Sequence, residues 1–125
     1  MAEAARPDPR RHLGAEGEAQ ARTYLIARGY RILAANWRCD YGELDLVAQQ
    51  GETIVIVEVR TRRAGTDAAF ESITPTKRDK LLRLSQAFLA AHDLDDMPCR
   101  IDVIGVRFGR DGRAQIAHAE DALGW

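Results

Sequence analysis

Two apolar, strand-like runs flank a short polar turn between Gly42 and Arg62, in the sequence GELDLVAQQGETIVIVEVRTR. Apolar runs rich in β-branched residues, separated by a turn that contains glycine, are typical of an antiparallel hairpin. We therefore predict paired strands over Gly42–Ala48 and Thr53–Thr61. This hairpin limits the chain to folds built around a sheet.

Charged side chains interrupt both runs: Glu43, Asp45, Glu58 and Arg60. Carboxylates are poor strand residues and are costly to bury without a partner. A two-residue turn at residues 50–51 places Glu43 opposite Glu58. The same register places Asp45 opposite Ile56 and diagonal to Glu58. All four charged side chains then project from one face of the hairpin.

The repulsion between neighbouring carboxylates must be offset by protons, by a basic side chain or by a cation. A divalent ion such as Mg²⁺, which prefers oxygen ligands, would offset it. A salt bridge from Arg60 to Glu58 or Asp45 would also offset it, and the residues alone leave both interpretations open.

The remaining elements follow from periodicity and capping signals. We predict a helix over Leu13–Arg28, closed by Gly29, and a second helix that starts at Pro75 after the N-cap residue Thr74. Further strands are predicted over Tyr30–Trp37, Arg100–Phe108 and Ala114–His118. The order of helix, three strands, helix and two strands predicts an α/β domain with a mixed sheet of about five strands, covered by helices.

At 125 residues the chain suits a single domain, which we place at residues 13–125 after a disordered lead-in over residues 1–12. The formal net charge of -1 indicates neither nucleic acid nor a basic partner. The first residues lack the apolar core of a signal peptide, and no run approaches the roughly 18 apolar residues of a membrane span, so we expect no membrane partner. Cys39 and Cys99 form no metal or redox spacing, and two free thiols favour a reducing, cytoplasmic location.

Basic residues gather after the hairpin, where seven lie between Arg60 and Arg83 against three acidic residues. A local positive surface beside an acidic pocket fits a phosphate-bearing polymer, which makes nucleic acid the expected partner. The candidates for contacts with nucleic acid are Arg62, Arg63, Lys77 and Arg78. A solvated helix face and a flexible basic loop would give the same pattern.

Two other carboxylates are candidates for the same pocket. Glu18 lies three positions before Ala21 and seven before Leu25, on the flank of the inward helix face, although the helix dipole also favours an early glutamate. Asp102 begins a strand, and we prefer to interpret it as the structural partner of an arginine. The histidines match no spaced ligand motif and are expected at surface or cap positions: His12, His92 and His118.

Short segments, in this order and at these intervals, resemble the YraN-type bacterial proteins: Gly17-Glu18, Gly29-Tyr30-Arg31-Ile32-Leu33, Asn36-Trp37-Arg38, Gly42-Glu43-Leu44-Asp45-Leu46 and Val57-Glu58-Val59-Arg60-Thr61-Arg62. The resemblance continues through Lys77, Leu81 and Arg100-Ile101-Asp102-Val103, so it covers nearly everything after the lead-in. That family resembles the PD-(D/E)xK nucleases of the restriction-endonuclease-like superfamily. Its motif order is similar to that of archaeal Holliday-junction resolvases.

The resemblance implies a three-layer core and metal-dependent hydrolysis of phosphodiester bonds in DNA, including branched DNA. It implies metal binding by Glu18, Asp45 and Glu58, with Mg²⁺ or Mn²⁺ as the ion, and a homodimer like that of the resolvases. Leu44 departs from the superfamily motif, which often has proline there, and Arg60 stands at the position of the usual lysine. Because Arg60 stays protonated, it would act as an electrostatic stabiliser and leave water activated by the metal as the nucleophile.

Three functions therefore compete. The first is a Mg²⁺-dependent endonuclease that acts on DNA. The second is a nucleic-acid-binding module that kept the fold and lost the chemistry, and the third is a protein-interaction scaffold whose acidic strands form only salt bridges. The complete carboxylate set favours the first function over the second, whereas Arg60 favours the second. The basic residues disfavour the third.

Overall fold

The computed structural model describes the backbone of residues 9–63 and 73–123, and the side chains from Gly14 onward within those ranges. Its elements, in chain order, are α1 (Pro9–Ala27), β1 (Arg31–Cys39), β2 (Gly42–Gln50), β3 (Thr53–Arg63), α2 (Pro75–Ala91), β4 (Cys99–Phe108) and β5 (Ala114–Ala119). The five strands form one sheet in the order β1-β2-β3-β4-β5. The β3–β4 pair is parallel and the others are antiparallel, so the predicted mixed sheet is confirmed.

The helices lie on opposite faces of this sheet and form two separate cores. On the α1 side, the buried apolar residues include Ala21, Leu25, Leu46, Val55, Val57, Ile104 and Val106. On the α2 side, they include Val47, Ile54, Ile56, Leu81, Leu84, Phe88 and Ile101. Each fully buried leucine, isoleucine or phenylalanine contributes about 1.5–3 kcal/mol relative to its exposed state. The predicted three-layer α/β core, consistent with a restriction-endonuclease-like fold, is therefore confirmed.

Local signals set the ends of the helices. Thr74 accepts a hydrogen bond from the Lys77 N–H at 3.2 Å, and Pro75 follows it, as predicted. Gly29 has φ +88 just beyond α1, which is the left-handed conformation that closes many helices. The first helix begins at Pro9 rather than Leu13, so the last four residues assigned to the lead-in are helical. Proline suits a first turn because its missing N–H would have no partner there.

The predicted register of the β2–β3 hairpin is wrong by one position on each strand. Gln50 pairs with Thr53, so the turn consists of residues 51–52. Gly51, with φ +58, occupies the first turn position, where type II′ turns place glycine. Glu43 therefore does not lie opposite Glu58, and Ile56 pairs with Val47 instead of Asp45.

Residues 1–8, 64–72 and 124–125 lie outside the described part of the chain. These ranges contain most of the predicted lead-in. They also contain Asp67 and Glu71, two of the three acidic residues beside the basic cluster. Within the described chain, no helix is long and apolar enough to span a membrane. Cys39 and Cys99 are free thiols, as expected.

Candidate functional site

The sheet divides into two arms at Asp45. The pairing of β2 with β3 ends at Leu46–Val57. Beyond that point β2 continues beside β1 as far as Gly42, and β3 continues beside β4 as far as Arg63. We call this place the fork. If the β2–β3 pairing continued by one more residue pair, Asp45 would lie directly opposite Glu58. The predicted register placed these two residues diagonal to each other.

Asp45 holds the fork together through its side chain. Its Oδ2 atom accepts a hydrogen bond from the Val59 N–H at 2.8 Å. The carboxylate thus satisfies a backbone donor of β3 where the ladder with β2 has ended. The alternation of side chains between the two faces of β2 is interrupted at Asp45. Residues two positions apart normally share a face, but Leu44 packs in the α2-side core and Leu46 in the α1-side core.

An irregular residue of β1 lies beside the fork. Asn36 sits between the pairs Ala35–Leu46 and Trp37–Leu44, so it is next to Asp45 on the neighbouring strand. Its φ of +53 is left-handed, a conformation that asparagine tolerates better than most residues. The Asn36 side chain forms a hydrogen bond with Glu18. Sequence reasoning gave Asn36 no role, although an asparagine inside an apolar strand was the available signal.

Gly17 brings Glu18 to the fork. A Cβ atom at position 17 would overlap the Thr61 side chain, so only glycine allows α1 to approach β3 this closely. Glu18 is the next residue and is half-buried. The close approach of α1 to β3 at Gly17 therefore places Glu18 near the sheet.

Four carboxylates influence one another at the fork. The pKa of Asp45 is raised to about 7. Burial is the largest cause, followed by the charge of Glu58, and Glu18 and Glu43 contribute smaller increases to this value. The hydrogen bond from the Val59 N–H acts in the opposite direction. Burial is also the main cause of a raised pKa at Glu18, which Asn36 lowers and Glu43 raises. The fork thus brings together carboxylate side chains from α1, β2 and β3.

Two of these carboxylates have cationic partners. The Lys77 Nζ atom lies 2.6 Å from Glu58 Oε1, and the Glu58 side chain is only 13% exposed. Arg38 Nε lies 3.4 Å from Glu43 Oε2 in a much more exposed pair. Sequence reasoning placed Lys77 among the nucleic-acid contacts and missed this ion pair, because the two residues are far apart in the chain.

The other predicted basic residues surround the end of β3 and the start of α2. Arg60 is half-buried and has interactions of its own, so it is not a free charge. Arg62 Nη1 donates a hydrogen bond to the Thr61 carbonyl at 2.9 Å. Arg63 and Arg78 are exposed. Among residues 14–63 and 73–123, no three Asp, Glu, His or Cys side chains form a ready group of metal ligands.

A second buried polar cluster lies on the α1 side of the sheet, around Asp102. Its carboxylate is paired with Arg100, as predicted, and with the His118 Nε2 atom at 2.8 Å. The expectation that His118 is a surface or cap residue is wrong, because its side chain is only 8% exposed. The His118 Nδ1 atom lies 3.1 Å from the Tyr24 hydroxyl, so this imidazole connects β5 to α1. Its buried position depends on the β4–β5 pairing, which no local pattern around His118 indicates.

Comparison with known proteins identifies relatives of this chain. The model of the uncharacterised protein family UPF0102 matches residues 17–106. A UPF0102 protein of Roseiflexus castenholzii is 52% identical over 118 residues, which cover 91% of this chain and 94% of that protein. A UPF0102 protein of Mycolicibacterium smegmatis is 46% identical over 112 residues, which cover 87% of this chain and 90% of that protein.

One solved structure, that of Pyrococcus furiosus SfsA in complex with Ca²⁺, aligns with a TM-score of 0.44 and 12% identity. The alignment covers 85% of this chain and 63% of the SfsA chain. A similarity of this size says nothing about the fork.

Proposed function

The chain belongs to the UPF0102 family, and from that premise and the carboxylates of the fork we propose that it is a metal-dependent endonuclease that hydrolyses phosphodiester bonds in DNA. The family match agrees with the YraN-type resemblance read from the sequence, but it names no activity. The observation that carries the proposal is the convergence of Glu18, Asp45 and Glu58 at the fork, where the sheet opens and α1 approaches β3 closely. Burial, followed by the neighbouring carboxylates, raises the pKa of Asp45 there to about 7. Strongly perturbed carboxylates that converge in one place are frequent at catalytic sites.

The fork carboxylates suit a hard divalent cation by donor type, although their side chains do not form a ready ligand group in the structure. Glu18, Asp45 and Glu58 offer only oxygen atoms, which Mg²⁺ and Mn²⁺ prefer. Their mutual repulsion leaves negative charge that a divalent ion would neutralise, and these three residues would hold it. When bound, such an ion supplies Lewis-acid stabilisation of the phosphate and lowers the pKa of water.

The chain's own residues prepare the site for the reaction. The Val59 N–H donates a hydrogen bond to Asp45, and the interaction of Asn36 with Glu18 favours the charged form of that carboxyl. Arg60 follows Glu58 by two positions on β3 and is half-buried. Its guanidinium offers donors to the negative charge that develops on the phosphate.

The expected substrate surface is the basic region formed by the end of β3 and the first turn of α2. Arg62, Arg63, Lys77 and Arg78 belong to it, and they lie on the same two elements that carry the Glu58–Lys77 pair. Charges of this kind bind phosphates without regard to base sequence. This fits a nuclease that recognises the shape of DNA, such as a branch, rather than its sequence.

A nucleic-acid-binding module without hydrolytic activity is the second candidate. The Lys77–Glu58 ion pair favours it, because an ammonium group already contacts one of the three proposed ligands. The replacement of the usual lysine by Arg60 favours it as well.

A cleavage assay separates the two candidates. Branched, single-stranded and duplex DNA are incubated with the protein and Mg²⁺ or Mn²⁺. We expect cleavage of at least one substrate, and its loss in Asp45→Asn and in Glu58→Gln. The matched control is Glu52→Gln, which removes an exposed carboxylate from the hairpin turn and should cleave like the wild type. Salt-dependent DNA binding without any cleavage would support the binding module.

A further inference from the structure

Lys77 occupies an electrostatically unusual position. It belongs to the first turn of α2, Pro75-Thr76-Lys77-Arg78, which contains no acidic residue. The N-terminal end of a helix carries a partial positive charge and disfavours cations. The backbone of Lys77 is nevertheless held there, because its N–H donates to the Thr74 hydroxyl.

The partner that compensates Lys77 lies on another element. Lys77 Nζ is 2.6 Å from Glu58 Oε1, a short charge-assisted contact that joins α2 to β3. The Lys77 side chain is 46% exposed whereas that of Glu58 is 13% exposed. The ammonium therefore reaches inward to a largely buried carboxylate, while the Lys77 side chain stays partly open to solvent.

Glu58 can serve only one strong cation at this oxygen. A divalent ion bound by the fork carboxylates would carry twice the charge of an ammonium and would repel it. The helix end would disfavour the displaced ammonium as well, so a nearby phosphate becomes its best partner. The phosphate groups of DNA supply that partner in the function proposed above.

We propose that the Lys77 ammonium is an internal counter-ion that holds the cation position at Glu58 until a divalent ion displaces it toward a DNA phosphate. This inference rests on the proposed function, since it needs a divalent ion at the fork. It makes Lys77 a competitor of the metal and a ligand of the substrate, two roles that a surface salt bridge would not combine.

Calorimetric titration of the full chain with Mn²⁺, in the absence of DNA, tests the competition. Lys77→Met, which keeps the length of the side chain and removes its charge, should bind Mn²⁺ about tenfold more tightly than the wild type, since a net interaction of this strength is typical of a bond to a charged group. Lys77→Arg retains a competing cation and should bind like the wild type.

The matched control is Arg83→Met, which removes the same charge from an exposed position of the same helix. It measures the general effect of net charge and should change the affinity far less. In a Glu58→Gln background, Lys77→Met should no longer tighten binding, because the contested oxygen has lost its charge.

Salt dependence of DNA binding tests the second role. With Ca²⁺ present, the log–log salt slope of the wild type should exceed that of Lys77→Met by about one unit, the value of one phosphate contact. With EDTA the two slopes should coincide, because Lys77 then stays on Glu58.

The outcomes separate this inference from the function on which it rests. Mn²⁺ affinity that is equal or weaker in Lys77→Met, with the wild type binding normally, overturns the counter-ion role and leaves the proposed function in place. A failure of the wild type and of every variant to bind Mn²⁺, with folding verified by circular dichroism, overturns both.

Discussion

Asp45 in β2 and Asp102 in β4 are both acidic residues within strands of one sheet, and they differ in what surrounds them. Asp102 is fully buried and accepts hydrogen bonds from Arg100, His118 and the backbone N–H of Asp121. Asp45 is half-buried and accepts a hydrogen bond from the Val59 N–H. Burial, followed by the charges of neighbouring carboxylates, raises its pKa to about 7.

The comparison separates two kinds of carboxylate within one sheet. A buried charge whose donors come from the protein itself is a structural feature, however polar its surroundings are. A carboxylate surrounded by like charges makes the folded state less stable when it ionises, and such costs concentrate at functional sites. The two residues should therefore respond in opposite ways to substitution.

Arg60 should show the largest effect on activity. In the proposed site, Arg60→Ala removes one preorganised donor to developing charge, which costs on the order of 3–4 kcal/mol in the barrier, or two to three decades in rate. Arg60→Lys keeps the charge and restores the residue usual in the superfamily, so it should lose less. Cleavage rates and melting curves of the three proteins provide the test. Equal cleavage by wild type and Arg60→Ala, with stability intact, would remove Arg60 from the mechanism.

Asp102 should show the largest effect on stability. Asp102→Asn leaves the Arg100 guanidinium without its buried counter-charge, and breaking such a pair costs about 3 kcal/mol. Urea denaturation measures this loss, and Mn²⁺ binding at the fork should not change. Asp111→Asn is the control, because its pair with Arg113 is exposed. A stable Asp102→Asn protein that no longer binds Mn²⁺ would contradict the assignment of a structural role to Asp102 and of a metal-binding role to Asp45.

The elements of the fold were predictable because their signals are local. Thr74 and Pro75 start α2, Gly29 closes α1, and the apolar, β-branched run of β3 predicts that strand. The register of the hairpin was not predictable to the residue, because residues 50–51 and 51–52 both make acceptable turns around one glycine. The pairing of Gln50 with Thr53 decides between them.

The carboxylates of the site were found from their residue types, but their arrangement was not. Glu18, Asp45 and Glu58 do influence one another at the fork, and this depends on the contact of Gly17 with Thr61. The pairing of Lys77 with Glu58 and the burial of His118 depend on tertiary packing. No periodicity reports such long-range contacts.

Asp45 should make stability depend on pH in the direction opposite to that of an ordinary ion-paired carboxylate. Its pKa is about 7 in the folded chain against an ordinary value of 3.8, so between these values the folded protein keeps a proton that the unfolded chain has lost. The free energy of unfolding therefore falls as the pH rises through this window and is lowest above about pH 7.

Asp45→Asn keeps an acceptor for the Val59 N–H and removes the ionisation. A difference of about three units corresponds to at most about 4 kcal/mol, and we expect about 2 kcal/mol because the side chain keeps some solvent contact. In urea denaturation with EDTA, the variant should be the more stable protein at about pH 8 and match the wild type near pH 4. Lower stability of Asp45→Asn at both values would show that Asp45 is a structural charge like Asp102.

Substitutions of Asn36 should have the smallest effect on the free energy of unfolding. They test whether the left-handed residue beside the fork influences the pKa of Glu18. Its left-handed conformation costs an alanine about 1 kcal/mol or slightly more, whereas glycine adopts it freely. Asn36→Ala and Asn36→Gly both remove the hydrogen bond that lowers the pKa of Glu18, so both should raise that pKa further. Asn36→Ala should in addition carry the cost of the left-handed backbone, so it should lower the free energy of unfolding more than Asn36→Gly does. NMR titration of the Glu18 carboxyl carbon and urea denaturation separate the two effects. An unchanged Glu18 pKa in both variants would show that Asn36 shapes β1 without orienting Glu18.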